Sequence, residues 1–171
     1  MTLFLTPVCL KKLNLQIRKM ELSEIDAVLD LHLEGLEREI RLLNQIIDGK
    51  SVDLSGRSQL KKILWQMIHI DEGRVFVAKE DNLYLGYCLA TKKIYPAEIP
   101  PICGCINGIY VKETTRRNGV GTKLFKMAVA WLKQEGVTYM ELYHMINDER
   151  AGAFWKKMGF VNVQYNCAMK I

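Results

Sequence analysis

Apolar and polar residues alternate over residues 13–18 (LNLQIR), the period of a strand with one buried face. The period then lengthens. Ile25, Val28, Leu29, Leu31, Leu33 and Leu36 predict an amphipathic helix, with Ser23 as its cap and Asp26 in the N3 position of a capping box. A loop over 49–56 leads to a second helix that starts at Ser58 and carries Leu60, Ile63, Leu64, Met67 and Ile68. Two strand-like runs, 74–79 and 84–91, are joined by Asp81-Asn82 and predict a hairpin. Pro96, Pro100 and Pro101 break the chain before a third long strand, Ile102–Val111. Leu124, Met127, Ala128, Trp131 and Leu132 then fall at i, i+3, i+4, i+7 and i+8, one face of a helix that Gly136 ends. A strand over 137–144 and a helix from Asp148 follow, the helix carrying Ala151, Phe154, Trp155 and Met158 and stopping at Gly159. Residues 160–171 hold one or two short closing strands. With no repeat, low-complexity stretch or linker, the expectation is one α/β domain over 13–171, preceded by a short extension, 1–12.

Length and composition agree with that picture. A chain of 171 residues suits one domain, and it can bury roughly 70% of the surface its unfolded form exposes. With 49% apolar and 25% charged residues the chain is no disordered segment. No apolar run reaches the length of a membrane span, so no membrane partner is expected. Residues 1–10 are apolar but short and lack a basic leading region, which reads as an extension and not a signal peptide; a cytoplasmic location is expected. The net charge is 24 − 19 = +5, which permits polyanion binding without requiring it. Its distribution matters more. Glu21, Glu24, Asp26, Asp30, Glu34, Glu37 and Glu39 make the first helix region acidic, whereas 112–126 holds five basic residues and one acid. Cations beside glycines favour a phosphate-bearing ligand over a general nucleic-acid surface, and no nucleic-acid partner is expected.

Five cysteines, an odd number, argue against a disulfide framework. Cys103-Gly104-Cys105 has no second pair to complete a zinc site, and His32, His69 and His144 are scattered, so no metal centre is expected.

The chemistry concentrates after Val111, where a strand ends, glycines and cations make a turn, and a helix begins. The first N–H groups of a helix lack internal partners and sit at the positive end of its dipole. Gly119 and Gly121 let the backbone approach a bulky ligand, and Arg116 and Arg117 add positive charge. Together these predict a nest for a pyrophosphate. The P-loop order fails at Gly121-Thr122-Lys123, and the dinucleotide fingerprint fails at Leu124.

Arg116-x-x-Gly119-x-Gly121, with Val111 five residues earlier, resembles the [QR]-x-x-G-x-[GA] motif of the GNAT acetyltransferases. Downstream, Leu142 and the run from Asp148 to Phe160, including Ala151, Phe154, Trp155, Lys157 and Gly159, resemble the family's second conserved stretch. The resemblance covers roughly 13–171 and is tightest from Ile109 to Phe160. It implies an α/β GNAT fold, a mixed and mainly antiparallel sheet flanked by helices, in which the Ile102–Val111 and 137–144 strands splay apart. It further implies acetyl-CoA as co-substrate. The pantetheine arm would bond to the backbone of Ile109 and Val111, with Tyr110 or Val111 offering an N–H to the developing oxyanion. The pyrophosphate would take N–H groups from Arg117, Asn118, Gly119, Val120, Gly121 and Thr122, and Arg116 charge would meet phosphate. Asp148, Ala151, Phe154, Trp155 and Lys157 would complete the cofactor side.

The sequence departs from the family where protons move. Trp155 replaces the tyrosine that often serves as acid, and an indole N–H donates a hydrogen bond but is no acid near neutral pH. Asn107 stands where relatives often keep a glutamate, and Asp148, after Asn147, replaces an asparagine. His144 is the substitute base, because imidazole titrates in the useful range, with a hydrogen-bonded strand histidine as the bland alternative; Asn107 is expected to hold water beside it. Tyr143 and Tyr165 read as packed strand aromatics. Glu37, Glu39 and the other helix acids read as a solvated face, with an amine pocket as the alternative. Two functions follow: an N-acetyltransferase acting on an amine of a small molecule or peptide, as a monomer or homodimer, or a non-catalytic acyl-CoA-binding module.

Overall fold

The computed structural model describes residues 14–47, 56–69, 73–97 and 102–164. The extension, Cys9, Cys167, Pro100, Pro101, Tyr165 and any closing strand after 164 lie outside the described residues. Five strands form one sheet in the order β1-β2-β3-β4-β5. They are β1 (Leu15–Lys19), β2 (Gly73–Glu80), β3 (Leu83–Ile94), β4 (Ile102–Val111) and β5 (Tyr139–Leu142). The first three pairings are antiparallel and β4–β5 is parallel. Helices α1 (Ile25–Leu43), α2 (Arg57–His69), α3 (Val120–Gln134) and α4 (Glu149–Lys157) flank it. Among the described residues no helix is long and apolar enough to cross a membrane.

The side-chain period of two divides the core. One face of β2 and β3 sends Phe76, Ala78, Cys88 and Ala90 against Leu124, Phe125, Ala128, Trp131 and Leu132 of α3 and Trp155 of α4. The opposite face sends Val75, Val77, Tyr87 and Leu89 against Ile25, Val28 and Leu31 of α1 and Leu64 of α2. Both sheet faces are therefore covered, which fits the near-continuous burial along the centre of β3.

The start of α1 differs from the sequence expectation. A 3₁₀ turn, Leu22–Glu24, precedes the helix, so Ser23 lies inside that turn. Glu21 and Glu24 form a capping box on that turn: the Glu24 carboxylate accepts the N–H of Glu21 at 2.9 Å, two guanidinium nitrogens of Arg18 at 2.7 Å, and the hydroxyl of Tyr84 at 2.7 Å. Arg18 is the main reason that the carboxyl is held down at about 2. Asp26 turns outward to Lys61, 2.7 Å away.

The feature that positions everything else lies at Asn107. The β4–β5 ladder runs only from Cys103 opposite Tyr139 to Ile106 opposite Leu142, while β4 continues to Val111. On its other side, Ala90 pairs with Ile106 and Leu89 with Gly108. Asn107 is thus the extra residue of a β-bulge, which bends the strand that carries it. Pairing with β5 ends where the bulge begins. The 137–144 run is accordingly a strand only over Tyr139–Leu142: Val137 closes the α3 terminus through its N–H to Leu132, and Tyr143 and His144 run on after β4 has left. Residues 160–164 form no strand.

Trp155 sits where helices and sheet meet. It is 6% exposed, and its ring lies 5.8 Å from Phe125, 5.5 Å from Phe160 and 4.8 Å from Phe154, all edge-to-face. Trp155→Ala is expected to lower unfolding stability by about 3–5 kcal/mol through the cavity it leaves. Trp155→Phe is expected to cost much less and to leave any turnover within a few-fold. Chemical denaturation beside a rate assay checks both.

Candidate active site

Strand geometry decides which peptide groups of β4 face the split. The N–H of Lys112 donates to Leu85 on β3 at 2.8 Å. In an antiparallel pair hydrogen-bonded and non-hydrogen-bonded residue pairs alternate, so Tyr110 and Gly108 also turn their peptide groups toward β3. Ile109 and Val111 turn theirs toward the split, where no β5 residue remains to pair with them. The Val111 carbonyl shows the direction, since it accepts Nε of Arg116 at 2.9 Å. Of the two oxyanion donors expected from the sequence, Val111 therefore has its N–H on the open side, and the Tyr110 N–H is committed to β3. The Tyr110 ring packs toward α1, with its Cδ2 3.2 Å from the point that a Cβ on Gly35 would occupy.

The chain then passes through a second 3₁₀ turn, Glu113–Thr115, into the glycine turn. Arg117 and Gly119 both have left-handed backbones, φ 67° and 76°, separated by Asn118. The first α3 hydrogen bond is from Lys123 to Gly119, 3.0 Å. Among the described residues nothing accepts from the N–H groups of Arg117, Asn118, Gly119, Val120, Gly121 or Thr122. Consecutive open N–H groups at a helix N-terminus are the physical requirement for an anion. A Cβ on Gly119 would meet nothing within 4 Å, and one on Gly121 would lie 3.6 Å from Val111 and 3.7 Å from Phe154. Gly119 thus faces open space, and Gly121 brings the start of α3 against the end of β4 and Phe154 of α4.

Arg116, expected to meet phosphate, is held against the turn by contacts of its own. Besides Val111 its guanidinium binds Glu113 at 2.6 Å and stands 5.5 Å over the Tyr110 ring. These contacts clamp the turn to the strand end. Arg117 and Lys123 are exposed and carry no ion pair among the described residues.

Across the split, Asp148 is 6% exposed and caps α4 by accepting the Ala151 N–H at 3.1 Å. Both its oxygens also receive the guanidinium of Arg38, from α1. Arg38 is the main reason that the Asp148 carboxyl lies below its ordinary range. Next to it, Asn147 donates to the Leu42 carbonyl at 2.8 Å and to Gln45 at 3.1 Å. Phe154 faces Gly121, Ala151 packs on the α3 core, and Lys157 is exposed at the end of α4.

Asn107 and His144 begin the two arms of the split. Asn107, exposed at the bulge, accepts the Thr91 hydroxyl at 2.6 Å. His144, two residues past the last β5 pair, is exposed, with Nδ1 3.0 Å from the Met145 carbonyl. A carbonyl only accepts, so Nδ1 carries the proton and the lone pair of the neutral ring is on Nε2. The bland alternative, a histidine held inside the strand layer, does not describe this residue.

Three groups on the α1 side escaped the sequence reading. His32 Nδ1 lies 2.8 Å from the hydroxyl of buried Tyr87. That hydroxyl is 2.8 Å from where a Cβ on Gly108 would sit, so glycine is what admits it. Burial lowers His32 and raises Tyr87 from their ordinary ranges. Arg38 is the third. The only sequence signal was the spacing of His32 four residues after Val28, which places it on the inner face of α1.

The sequence profile of the Acetyltransferase (GNAT) family matches residues 42–160, more than half of the chain. The chain belongs to the GNAT acetyltransferase family. Solved structures agree in fold. A predicted acetyltransferase from Clostridium acetobutylicum, determined with acetyl-CoA, superposes with a TM-score of 0.74 at 16% identity, covering 91% of this chain and 96% of that one. A GCN5-related N-acetyltransferase from Ralstonia eutropha JMP134 gives 0.73 at 16% identity over 92% and 99%. The aminoglycoside 6'-N-acetyltransferase AAC(6')-IG from Acinetobacter haemolyticus gives 0.69 at 17% identity over 91% and 97%. No curated protein matches the chain in sequence. GNAT membership supports acetyl transfer as the class of reaction.

The turn is tested with CoA and calorimetry. Gly119→Val forces a β-branched residue into a left-handed backbone and is expected to weaken CoA binding tenfold or more; unchanged affinity would remove the nest from the site. Arg116→Ala is expected to weaken binding by loosening the clamp, with little salt dependence. Arg117→Ala is expected to carry the part of the affinity that salt screens.

Proposed function

We propose that the protein is an acetyl-CoA-dependent N-acetyltransferase that acts on an amine of a small molecule or peptide. One observation carries this reading: the open peptide edge of Ile109 and Val111 lies beside the helix start whose N–H groups, residues 117–122, are open, with Gly121 against Val111. An extended chain of amides and a pyrophosphate joined end to end match that order of donors and acceptors. Acetyl-CoA supplies an acyl group activated as a thioester. The remaining work belongs to side chains and backbone of this protein. Arg117, Asn118, Gly119, Val120, Gly121 and Thr122 bind phosphate oxygens, with Phe154 against Gly121. The Val111 N–H is a fixed donor, aimed into the split, for oxygen on which negative charge develops.

An alkyl ammonium must lose its proton before it attacks. The groups at the mouth of the split are His144, whose Nε2 can accept a proton, and Asn107, which can hold a water. Neither Trp155, buried among aromatics, nor Asn107 can serve as an acid. Alignment of the amine therefore supplies most of the rate. Those same two replacements favour the second reading, a non-catalytic acyl-CoA-binding module.

The two readings separate on thiol release from acetyl-CoA with a panel of amines. Turnover is expected; tight CoA binding without thiol release would favour the module. The pH profile then assigns the proton. A histidine base gives kcat/KM an inflection in the imidazole range, with activity rising as the ring becomes neutral, and the inflection disappears in His144→Ala. Identical profiles in the two proteins would exclude His144 and leave water as the carrier.

A further inference from the structure

α1 carries five acids, and four have cations. Asp26 pairs with Lys61 at 2.7 Å, Asp30 with Arg57 at 2.6 Å, Glu34 with Lys112 at 3.8 Å and Glu37 with Arg41 at 4.0 Å. Glu39 alone has no hydrogen bond or ion pair among the described residues. Its neighbour Arg38, the nearest cation in the chain, is turned away and committed to Asp148.

The direction of Glu39 follows from helix geometry. At 3.6 residues per turn, Glu39 is rotated about 40° from Gly35 and about 20° from His32, whereas Glu34 and Glu37 are rotated by about 100° or more from Gly35. Gly35 packs on the Tyr110 ring of β4, and His32 bonds Tyr87 of β3. Glu39 therefore stands on the inner face of α1, one turn beyond those contacts. Arg38 and the Leu42 carbonyl, on either side of it in sequence, reach across to Asp148 and Asn147 at the α4 terminus. Between β4 and α4 lies the mouth of the split, and Glu39 overlooks it.

The charged and titratable groups that face it are Arg38 on α1, Tyr87 on β3 and Asp148 before α4, while Tyr110 on β4 faces Glu34 instead. The side chain remains open to solvent, yet the protein around it displaces enough water to raise its carboxyl above the ordinary range. Arg38 opposes that rise, and Asp148 adds to it. A carboxylate so placed gains from a cation delivered by a ligand.

We propose that Glu39 is the counter-ion of the acceptor, and that the acceptor is therefore an amine that carries a positive charge at this contact. The proposal rests on the acetyltransferase reading, to which it adds a substrate class. A diamine suits it chemically, because one nitrogen stays protonated at Glu39 while the other loses its proton.

The probes are 1,4-diaminobutane, and aniline, which is neutral at pH 7. With the full chain and acetyl-CoA, Glu39→Gln is expected to raise KM for the diamine tenfold or more, with KM for aniline and CoA affinity unchanged. Glu37→Gln, on the outer face, is expected to change none of these. Equal KM changes for both amines would reveal a structural role only and overturn the proposal. A second measurement does not need turnover. In protein labelled with ¹³C at glutamate carboxyls, 1,4-diaminobutane is expected to shift the Glu39 signal and move its titration to lower pH. An unmoved Glu39 signal at saturating diamine would overturn the proposal. A moved signal without thiol release from any amine would support the cation site and refute acetyl transfer.

Discussion

The structure depends on one unmade pairing. A buried or half-buried peptide group needs a partner, and within a sheet the neighbouring strand supplies it. β4 loses its neighbour at Asn107, where a bulge toward β3 coincides with the last pair to β5. From there to Val111 one edge of the strand has donors and acceptors but no strand to meet them. A few residues later the chain turns through two left-handed positions and leaves another row of N–H groups open at the start of α3. The two open rows lie side by side, since a Cβ on Gly121 would stand 3.6 Å from Val111. A ligand that is amide-rich at one end and anionic at the other satisfies both, and the Arg116 clamp on Val111 and Glu113 fixes their relation.

α1 closes the opposite side. It is tied to β3 by His32 and Tyr87, to β4 by Gly35 and Tyr110, and to the α4 terminus by Arg38 with Asp148 and by the Leu42 carbonyl with Asn147. The Arg38–Asp148 pair is buried on the acid side, so losing either partner would strand a charge. The pair does two things at once, since the same carboxylate caps α4. α1 thus bridges both arms of the split.

Local chemistry was legible in the sequence. The glycines between Arg116 and Gly121 mark an open helix start, because such a start needs no distant partner. Helical and strand periods placed the elements, with Ile102–Val111 matching the strand to the residue. What escaped notice depends on pairing over long distances. The bulge at Asn107 exists only in the register of β3 against β4. The commitment of the Tyr110 N–H follows from that same register. Arg38 and Asp148 are 110 residues apart, and nothing near either one shows the contact. Serine commonly caps a helix, but Ser23 lies inside a 3₁₀ turn whose capping box is made by Glu21 and Glu24, and Arg18 and Tyr84, from two strands, converge on the Glu24 carboxylate. The contacts of Arg116 with the Val111 carbonyl and the Tyr110 ring depend on how the turn folds back on the strand end. His144 was placed in a strand that ends two residues earlier, and the early end follows from the divergence of β4.

Amide NMR tests most directly whether the two open rows hold one ligand. CoA added to ¹⁵N-labelled protein is expected to shift the backbone amides of Ile109 and Val111 together with those of Arg117 to Thr122, all with one dissociation constant. The amides of Gly108 and Tyr110, bonded to β3, are expected to move much less. Shifts confined to the 117–122 turn, or spread over other surfaces, would contradict it, because the split strand would then take no part in holding the ligand.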